Sequence, residues 1–250
     1  MLTGTLLKAI IALISALSGA VFLFFIKLDH KKLCALISFS AGALMGAAVF
    51  VLIPEAAGTL NFIEIFFSAL SGYLLFWFIS KYFAHVCPAC SASHFDERTV
   101  KKFSEIVLTL ITALSIHSLL DGVALATGGS GNGHDQSLFI AIATHKFPEG
   151  LALAALMFGS NYSRGRVLRN VALVESSTVI GALAGFFLFR SKLPETFLGA
   201  VMGHIAGGFV YLSIHAVLGE MLKHHTRLVI ISFILGALLI FSVHLMFSPV

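Results

Sequence analysis

Long apolar runs follow one another along almost the whole chain and leave only short polar connections between them. Each run holds about 20 residues, which is the length of α-helix that crosses a hydrocarbon core of roughly 30 Å. No Pro/Ser-rich linker or low-complexity tract divides the sequence. The pattern therefore predicts one membrane domain over residues 1–250, with eight spanning helices near 4–26, 33–54, 60–82, 104–127, 137–159, 167–189, 195–217 and 228–248.

The composition excludes an ordinary soluble domain. Hydrophobic residues make up 58% of the chain and charged residues only 11%, and the mean hydropathy is +0.98. The first run has no basic segment before it and no small-residue cleavage site after it, so we expect a retained helix and not a signal peptide. The predicted fold class is an all-α polytopic membrane protein in a lipid bilayer.

Glycines cluster inside several of the predicted helices, as in "FSAGALMGAA", "VIGALAGFF" and "GHIAGGFVY". Small residues let membrane helices approach each other closely, because no side chain separates their backbones. These segments are therefore expected to be helix-packing seams.

Basic residues concentrate on one side of the predicted membrane. The opposite side holds Arg190 and Lys192, with Lys8 near the N-terminus. Because cytoplasmic loops carry an excess of Lys and Arg, both termini are predicted to lie outside, the loop 83–103 in the cytosol and the chain in the cell membrane. This topology also explains the pI of about 9.1 without a nucleic-acid partner. The loops after the first, third, fifth and seventh runs hold Lys27, Lys31, Lys32, Lys81, Arg98, Lys101, Lys102, Arg164, Arg166, Arg169, Lys223 and Arg227.

Ionisable residues inside the predicted helices are the strongest functional signal, since burying a charge in a bilayer is costly. The fourth run contains "SIHSLLDGVALA", with His117 and Asp121, and the fifth contains His145 and Glu149. Residues four apart lie on one helix face, so two His–carboxylate stripes can meet near the bilayer midplane. Two imidazoles and two carboxylates form a ligand set that suits Zn²⁺ and also accepts Fe²⁺ or Mn²⁺. The alternative is an ion-pair cluster that only joins the helices.

These segments resemble the ZIP (Zrt-, Irt-like) family of divalent-metal transporters. The resemblance rests on "HSLLDGVALA" followed by "HKFPEGLALA", with support from "SAGALMGAAVFVLIPEA" and "AGGFVYLSIHAVLGE". It implies a transporter and not an enzyme, with no organic cofactor. It further implies import of a divalent metal toward the cytosol by an elevator-like or rocking movement of the helices that carry the metal.

The resemblance also assigns site residues. Members of the family that bind two adjacent metals use an Asn, an acid and a Glu at three positions that here hold Ser118, Lys146 and Glu175. Lys146 departs from that pattern, because a protonated amine cannot ligate a metal and repels one. The implied primary metal site consists of His117, Asp121, His145 and Glu149, with Met45, Ser118 and Glu175 lining it and Lys146 replacing the second metal.

Charge counting supports a single metal. With Asp121, Glu149 and Glu175 ionised and Lys146 protonated, the cluster carries two negative charges, which one divalent ion neutralises. The hypothesis is that Lys146 stays charged by pairing with one of these carboxylates. The alternative, in which its side chain extends to the nearer membrane surface, requires it to cross roughly 15 Å.

A second candidate metal site lies in the predicted cytosolic loop, where "HVCPACSASH" contains His85, Cys87, Cys90 and His94. Thiolates and imidazoles at this spacing suit zinc-like cations. A flexible loop with incidental, reduced cysteines is the equally weighted alternative. Weaker candidates for a metal pathway, which interfacial positions explain as well, are His204, His215, Glu220, Glu55 and Glu64.

The main alternative function is an intramembrane zinc-dependent hydrolase, because buried His and Asp residues also hold catalytic Zn²⁺. No HExxH motif occurs, and Glu175 is the one acid that could act as a base free of ligand duty. A purely structural helical bundle is a third interpretation. For a transporter, the ligand set favours Zn²⁺ as the transported ion and is also compatible with Fe²⁺, Mn²⁺ or Cd²⁺. A homodimer is compatible with the sequence.

Overall fold

The computed structural model describes residues 2–26, 30–82, 97–127, 134–188, 194–221 and 226–247. Its regular elements are all helical, which confirms the predicted all-α polytopic class. In chain order they are α1 (Leu2–Phe22), a 3₁₀ turn (Leu23–Phe25), α2 (His30–Ala47), a π-helical segment (Ala48–Leu52), α3 (Ile53–Ala57), α4 (Phe62–Tyr82), α5 (Glu97–Thr127), α6 (His134–Gly159), α7 (Arg164–Leu188), α8 (Glu195–Met221) and α9 (Thr226–Phe247).

The helices have the length and apolarity that a membrane requires. Within the described residues, seven helical segments are long and apolar enough to cross a bilayer. One of them, Cys34–Ala57, joins α2, the π-helical segment and α3 without a break. The predicted fourth span falls on α5, whose described apolar part, Leu114–Thr127, is shorter than a full span.

The π-helical segment precedes Pro54, which is the second residue of α3. Proline has no N–H and cannot donate to the carbonyl four residues earlier. The helix therefore widens locally to the i→i+5 pattern instead of keeping a regular α-helical ladder at this point.

Four pairs of helices pack with their backbones in direct contact through reciprocal glycines. In each pair, a glycine of one helix faces a backbone carbonyl of the other, and a Cβ at that glycine would overlap the carbonyl oxygen. Such close approach stabilises membrane helices through dispersion contacts. The pairs are α1 with α6 (Gly19, Gly150), α2 with α9 (Gly42, Gly236), α4 with α8 (Gly72, Gly207) and α5 with α7 (Gly122, Gly181).

The seams join the helices in four pairs, and further contacts between the pairs assemble them into two groups. Group one consists of α1, α5, α6 and α7, because α1 packs extensively on both α6 and α7, and α7 packs on α5. Group two consists of α2 with its π-helical continuation and α3, together with α4, α8 and α9. The most extensive contact between the groups is α2 against α6. The eight glycines of the four seams all join helices of the same group.

The contact between α5 and α6, which follow each other in the chain, is much less extensive than the contact of α5 with α7 or of α6 with α1. Close backbone packing therefore takes place on the faces of α5 and α6 that contact α7 and α1. The space between α5 and α6 is left for side chains, and the polar residues described below lie there.

Substituting Gly181 by Ala should destabilise the protein, because the added methyl group would overlap the backbone carbonyl of Leu119 and push α5 and α7 apart. Overpacking of this kind costs about 1–3 kcal/mol. Thermal unfolding in detergent, followed by circular dichroism, should show a lower midpoint. Gly165→Ala on the same helix is the matched control, because an added Cβ there meets nothing within 4 Å. Equal midpoints for the two variants would show that the seam does not limit stability.

Candidate metal site

Two histidines and two carboxylates converge between α5 and α6. His117 and Asp121 lie one turn apart on α5, and His145 and Glu149 lie one turn apart on α6. One ligand atom from each residue lies within 4.8 Å of the others, and all four residues are buried. The Nε2 atoms of both histidines are 3.3 Å from Oδ2 of Asp121. The two stripes that the helix period predicts thus face each other in the structure.

This spacing is close to what a small metal ion requires. Zinc ligand bonds of about 2.0–2.2 Å in a tetrahedron place the ligand atoms roughly 3.3–3.6 Å from one another. The four side chains lie within 4.8 Å, so closing around an ion requires movements of only about 1 Å. Rotations of side chains can supply such movements without a change in the packing of the helices.

Several ligand atoms at the site have no hydrogen-bond partner among the described residues. They include Nε2 of His117, Oδ1 of Asp121 and Oε1 of Glu149. Buried polar atoms are nearly always paired, because leaving one unpaired costs free energy. Three unpaired electron-pair donors at one place are therefore the arrangement that suits a bound cation.

Lys146 lies at the centre of the cluster and is fully buried, with 0% of its surface exposed. Its Nζ donates to Oγ of Ser118 at 2.7 Å and to Oε2 of Glu149 at 2.8 Å. It also forms ion pairs with Oδ2 of Asp121 at 2.9 Å and Oε2 of Glu175 at 3.0 Å. The side chain therefore does not extend to the membrane surface, and its amine is matched by all three nearby carboxylates.

Phe209 covers the histidines from the other helix group. Its ring centroid lies 4.5 Å from that of His117 and 5.1 Å from that of His145, and Phe209 is completely buried. Gly207, two residues before Phe209 on α8, lies against the backbone of Ala69 on α4, which brings α8 close to α4 at this level. Phe209 thus excludes water from one side of both imidazoles. Sequence reasoning missed it, because one more aromatic residue in an apolar helix carries no signal.

The other predicted residues lie in varied surroundings. Glu175 on α7 is buried and accepts a hydrogen bond from Ser118 at 3.3 Å, whereas Met45 on α2 is half-buried and its role in lining the site stays a prediction. His204 on α8 is half-buried, with Nδ1 2.8 Å from Oγ of Ser71.

Glu64 has a local structural role at the start of α4. Its backbone N–H donates to Oδ1 of Asn61, and its Oε2 accepts from the backbone N–H of Asn61. This reciprocal arrangement is a capping box, which favours the interfacial interpretation of Glu64 over a role in a metal pathway.

Two groups of predicted residues cannot be placed. The loop candidates His85, Cys87, Cys90 and His94 lie outside the described residues, and so do the side chains of His215 and Glu220. The second metal site in the loop therefore stays a prediction.

Replacing His145 by Ala should weaken Zn²⁺ binding by roughly 100-fold or more, since losing even an outer-shell partner of a metal site costs 10–100-fold. Isothermal titration calorimetry of the purified protein measures this. All proteins should carry Cys87→Ser and Cys90→Ser, so that the loop thiols do not contribute. His244→Ala, in the last turn of α9, is the matched control and should bind as the parent does. Unchanged affinity in His145→Ala would place the metal elsewhere.

Comparisons with known proteins agree with this geometry. The family model described as "ZIP Zinc transporter" matches residues 90–244, which is more than half of the chain and contains the four clustered residues. A zinc transporter ZupT of Chlorobaculum parvum is 26% identical over 238 residues, 87% of each chain. An uncharacterised protein of Methanocaldococcus jannaschii is 25% identical over 199 residues, 76% of each chain. For a zinc transporter ZupT of Chlorobium chlorochromatii, identity is 28% over 134 residues, and the match spans 52% of this chain and 50% of that protein. The chain therefore belongs to the ZIP family of zinc transporters.

Proposed function

We propose that this protein transports a divalent metal ion, with Zn²⁺ as the favoured ion, across the cell membrane toward the cytosol. The ion binds His117, Asp121, His145 and Glu149 during its passage. The observation that carries the proposal is the convergence of these four buried side chains within 4.8 Å between two membrane helices.

The depth of the cluster supports a transport site. Glu149 lies 11 residues after the start and 9 residues before the end of the apolar segment Leu138–Phe158. At about 1.5 Å per residue, both ends of the segment are roughly 15 Å away, which is the middle of the hydrocarbon core. A binding site at this depth is typical of transporters that expose one site alternately to the two sides.

The ligands and the relatives support zinc. Two imidazole nitrogens and two carboxylate oxygens form a four-coordinate set that suits Zn²⁺. Both ZupT relatives are named zinc transporters. The same donor atoms also accept Fe²⁺, Mn²⁺ and Cd²⁺, so the ranking of these ions is left to the transport assay.

The packing of the helices supports movement of the metal with one helix group. The four ligands, Lys146 and Glu175 all lie on group one, in which backbone contacts at glycines join α1 to α6 and α5 to α7. Phe209 of group two contacts the histidines through its side chain. Two helices that touch through side chains can move past each other more easily than two helices whose backbones are in direct contact. We infer that group one shifts against group two and carries the ion across, in an elevator-like or rocking movement.

The intramembrane hydrolase is not supported as a second function. The ZIP family consists of transporters and not of enzymes. In Glu175, the one acid that could act as a base, Oε2 is paired with Lys146 and accepts a hydrogen bond from Ser118.

Transport itself is tested with purified protein in liposomes that contain a fluorescent metal indicator. We expect saturable Zn²⁺ uptake by the parent protein and by His244→Ala, and uptake no faster than that of empty liposomes for His145→Ala and Glu149→Gln. A panel of Fe²⁺, Mn²⁺ and Cd²⁺, with and without a pH gradient, determines selectivity and driving force. Uptake by His145→Ala at the parent rate would contradict the proposed route.

The direction of transport depends on the predicted topology, in which both termini lie outside the cytosol. An epitope tag at either terminus should bind its antibody on intact cells. A tag inserted after Ser93, in the loop 83–103, should bind only after the cells are permeabilised. The opposite pattern would reverse the topology and would contradict the proposed direction of import.

A further inference from the structure

We propose that the ammonium group of Lys146 permanently fills a second cation position of the metal site, so that the site binds one divalent ion. This inference rests on the proposed function, because it assigns the neighbouring position to the transported metal. It goes beyond that function in fixing the stoichiometry of metal binding.

The first argument is the cage of oxygen atoms around Lys146. Four oxygens from three helices surround its Nζ at 2.7–3.0 Å, two from α5, one from α6 and one from α7. Oxygen atoms that converge from several helices on one point form the kind of site that binds a cation. The amine of Lys146, itself completely buried, takes that place.

The second argument is that each of the three carboxylates, Glu175 included, has one oxygen on Lys146 and one oxygen without a hydrogen-bond partner. Oδ2 of Asp121 and Oε2 of Glu149 contact the amine of Lys146, whereas Oδ1 and Oε1 of the same groups have no hydrogen-bond partner. Nε2 of His117 is also unpartnered. Asp121 and Glu149 would therefore each keep one oxygen free for a metal ion while the other oxygen contacts Lys146. Oδ2 of Asp121 also lies 3.3 Å from Nε2 of both histidines.

The third argument is charge. The buried cluster contains three carboxylates and one ammonium, which leaves two negative charges for a divalent ion to neutralise. A second divalent ion beside Lys146 would leave two uncompensated positive charges in the membrane interior, which is costly. Lys146→Glu would change the cluster to four negative charges, which two divalent ions neutralise.

The stoichiometry of Zn²⁺ binding tests the inference. Purified proteins with Cys87→Ser and Cys90→Ser are dialysed against Zn²⁺, and bound zinc is measured by atomic absorption. We expect one zinc per parent protein and two per Lys146→Glu protein. Lys146→Met, which fills the cage without a charge, should bind one. Lys81→Glu, a charge reversal at an exposed position at the end of α4, should also bind one.

The outcomes separate the inference from the proposed function. Two zinc ions bound to the parent protein, both lost in His145→Ala, would overturn the inference even if transport is normal. One zinc bound to a Lys146→Glu protein that is folded by circular dichroism and monodisperse would also overturn it. If Lys146→Glu does not fold, the parent stoichiometry still decides. A parent protein that neither binds nor transports zinc would overturn the proposed function.

Discussion

The structure depends on the mutual neutralisation of charges that the membrane would otherwise exclude. Three carboxylates and one ammonium lie fully buried between α5, α6 and α7, and each charge is expensive to place in the hydrocarbon core alone. The amine of Lys146 lies within 3.0 Å of an oxygen from each carboxylate, so the three helices that carry these residues must stay in register. The same pairing leaves an excess of negative charge, and one oxygen of each carboxylate has no hydrogen-bond partner. A basic side chain that compensates part of the negative charge thus allows a membrane protein to bury a cluster of carboxylates at mid-depth.

Close helix packing and the chemistry of the site are arranged on different sides of the same helices. Glycine seams join α5 to α7 and α6 to α1. The two helices that bear the candidate ligands are therefore packed through their backbones against α7 and α1. The space between α5 and α6 is filled by polar side chains instead. Under the proposed function, this division would let the four side chains move by about 1 Å around an ion while the helices keep their positions.

Phe209 connects the site to the second helix group without contributing a polar atom. Its ring lies against both imidazoles and keeps water from that side. Dehydration strengthens the attraction between the ligands and a metal ion, because the effective dielectric constant is low. Since Phe209 belongs to group two, a shift of group one against group two would remove this cover and expose the histidines. In the proposed transport movement, the position of Phe209 would therefore link access to the candidate metal site to the relative position of the two helix groups.

The sequence by itself determined the features that depend on local spacing. Apolar runs of membrane length predicted the polytopic helical class, and the i,i+4 spacing predicted that His117 shares a face with Asp121, and His145 with Glu149. Burial of Lys146 could be predicted to require a carboxylate partner, because the run around it is too long for the amine to reach the surface. The glycine clusters predicted where helices pack closely but not which helices pack together. A glycine indicates only that another backbone can approach it. Only the tertiary structure decided that α5 packs on α7, that Lys146 contacts three carboxylates at once, and that Phe209 covers the histidines. These facts follow from how all the helices fit together, and interactions between residues distant in sequence leave no periodic pattern that the sequence alone would show.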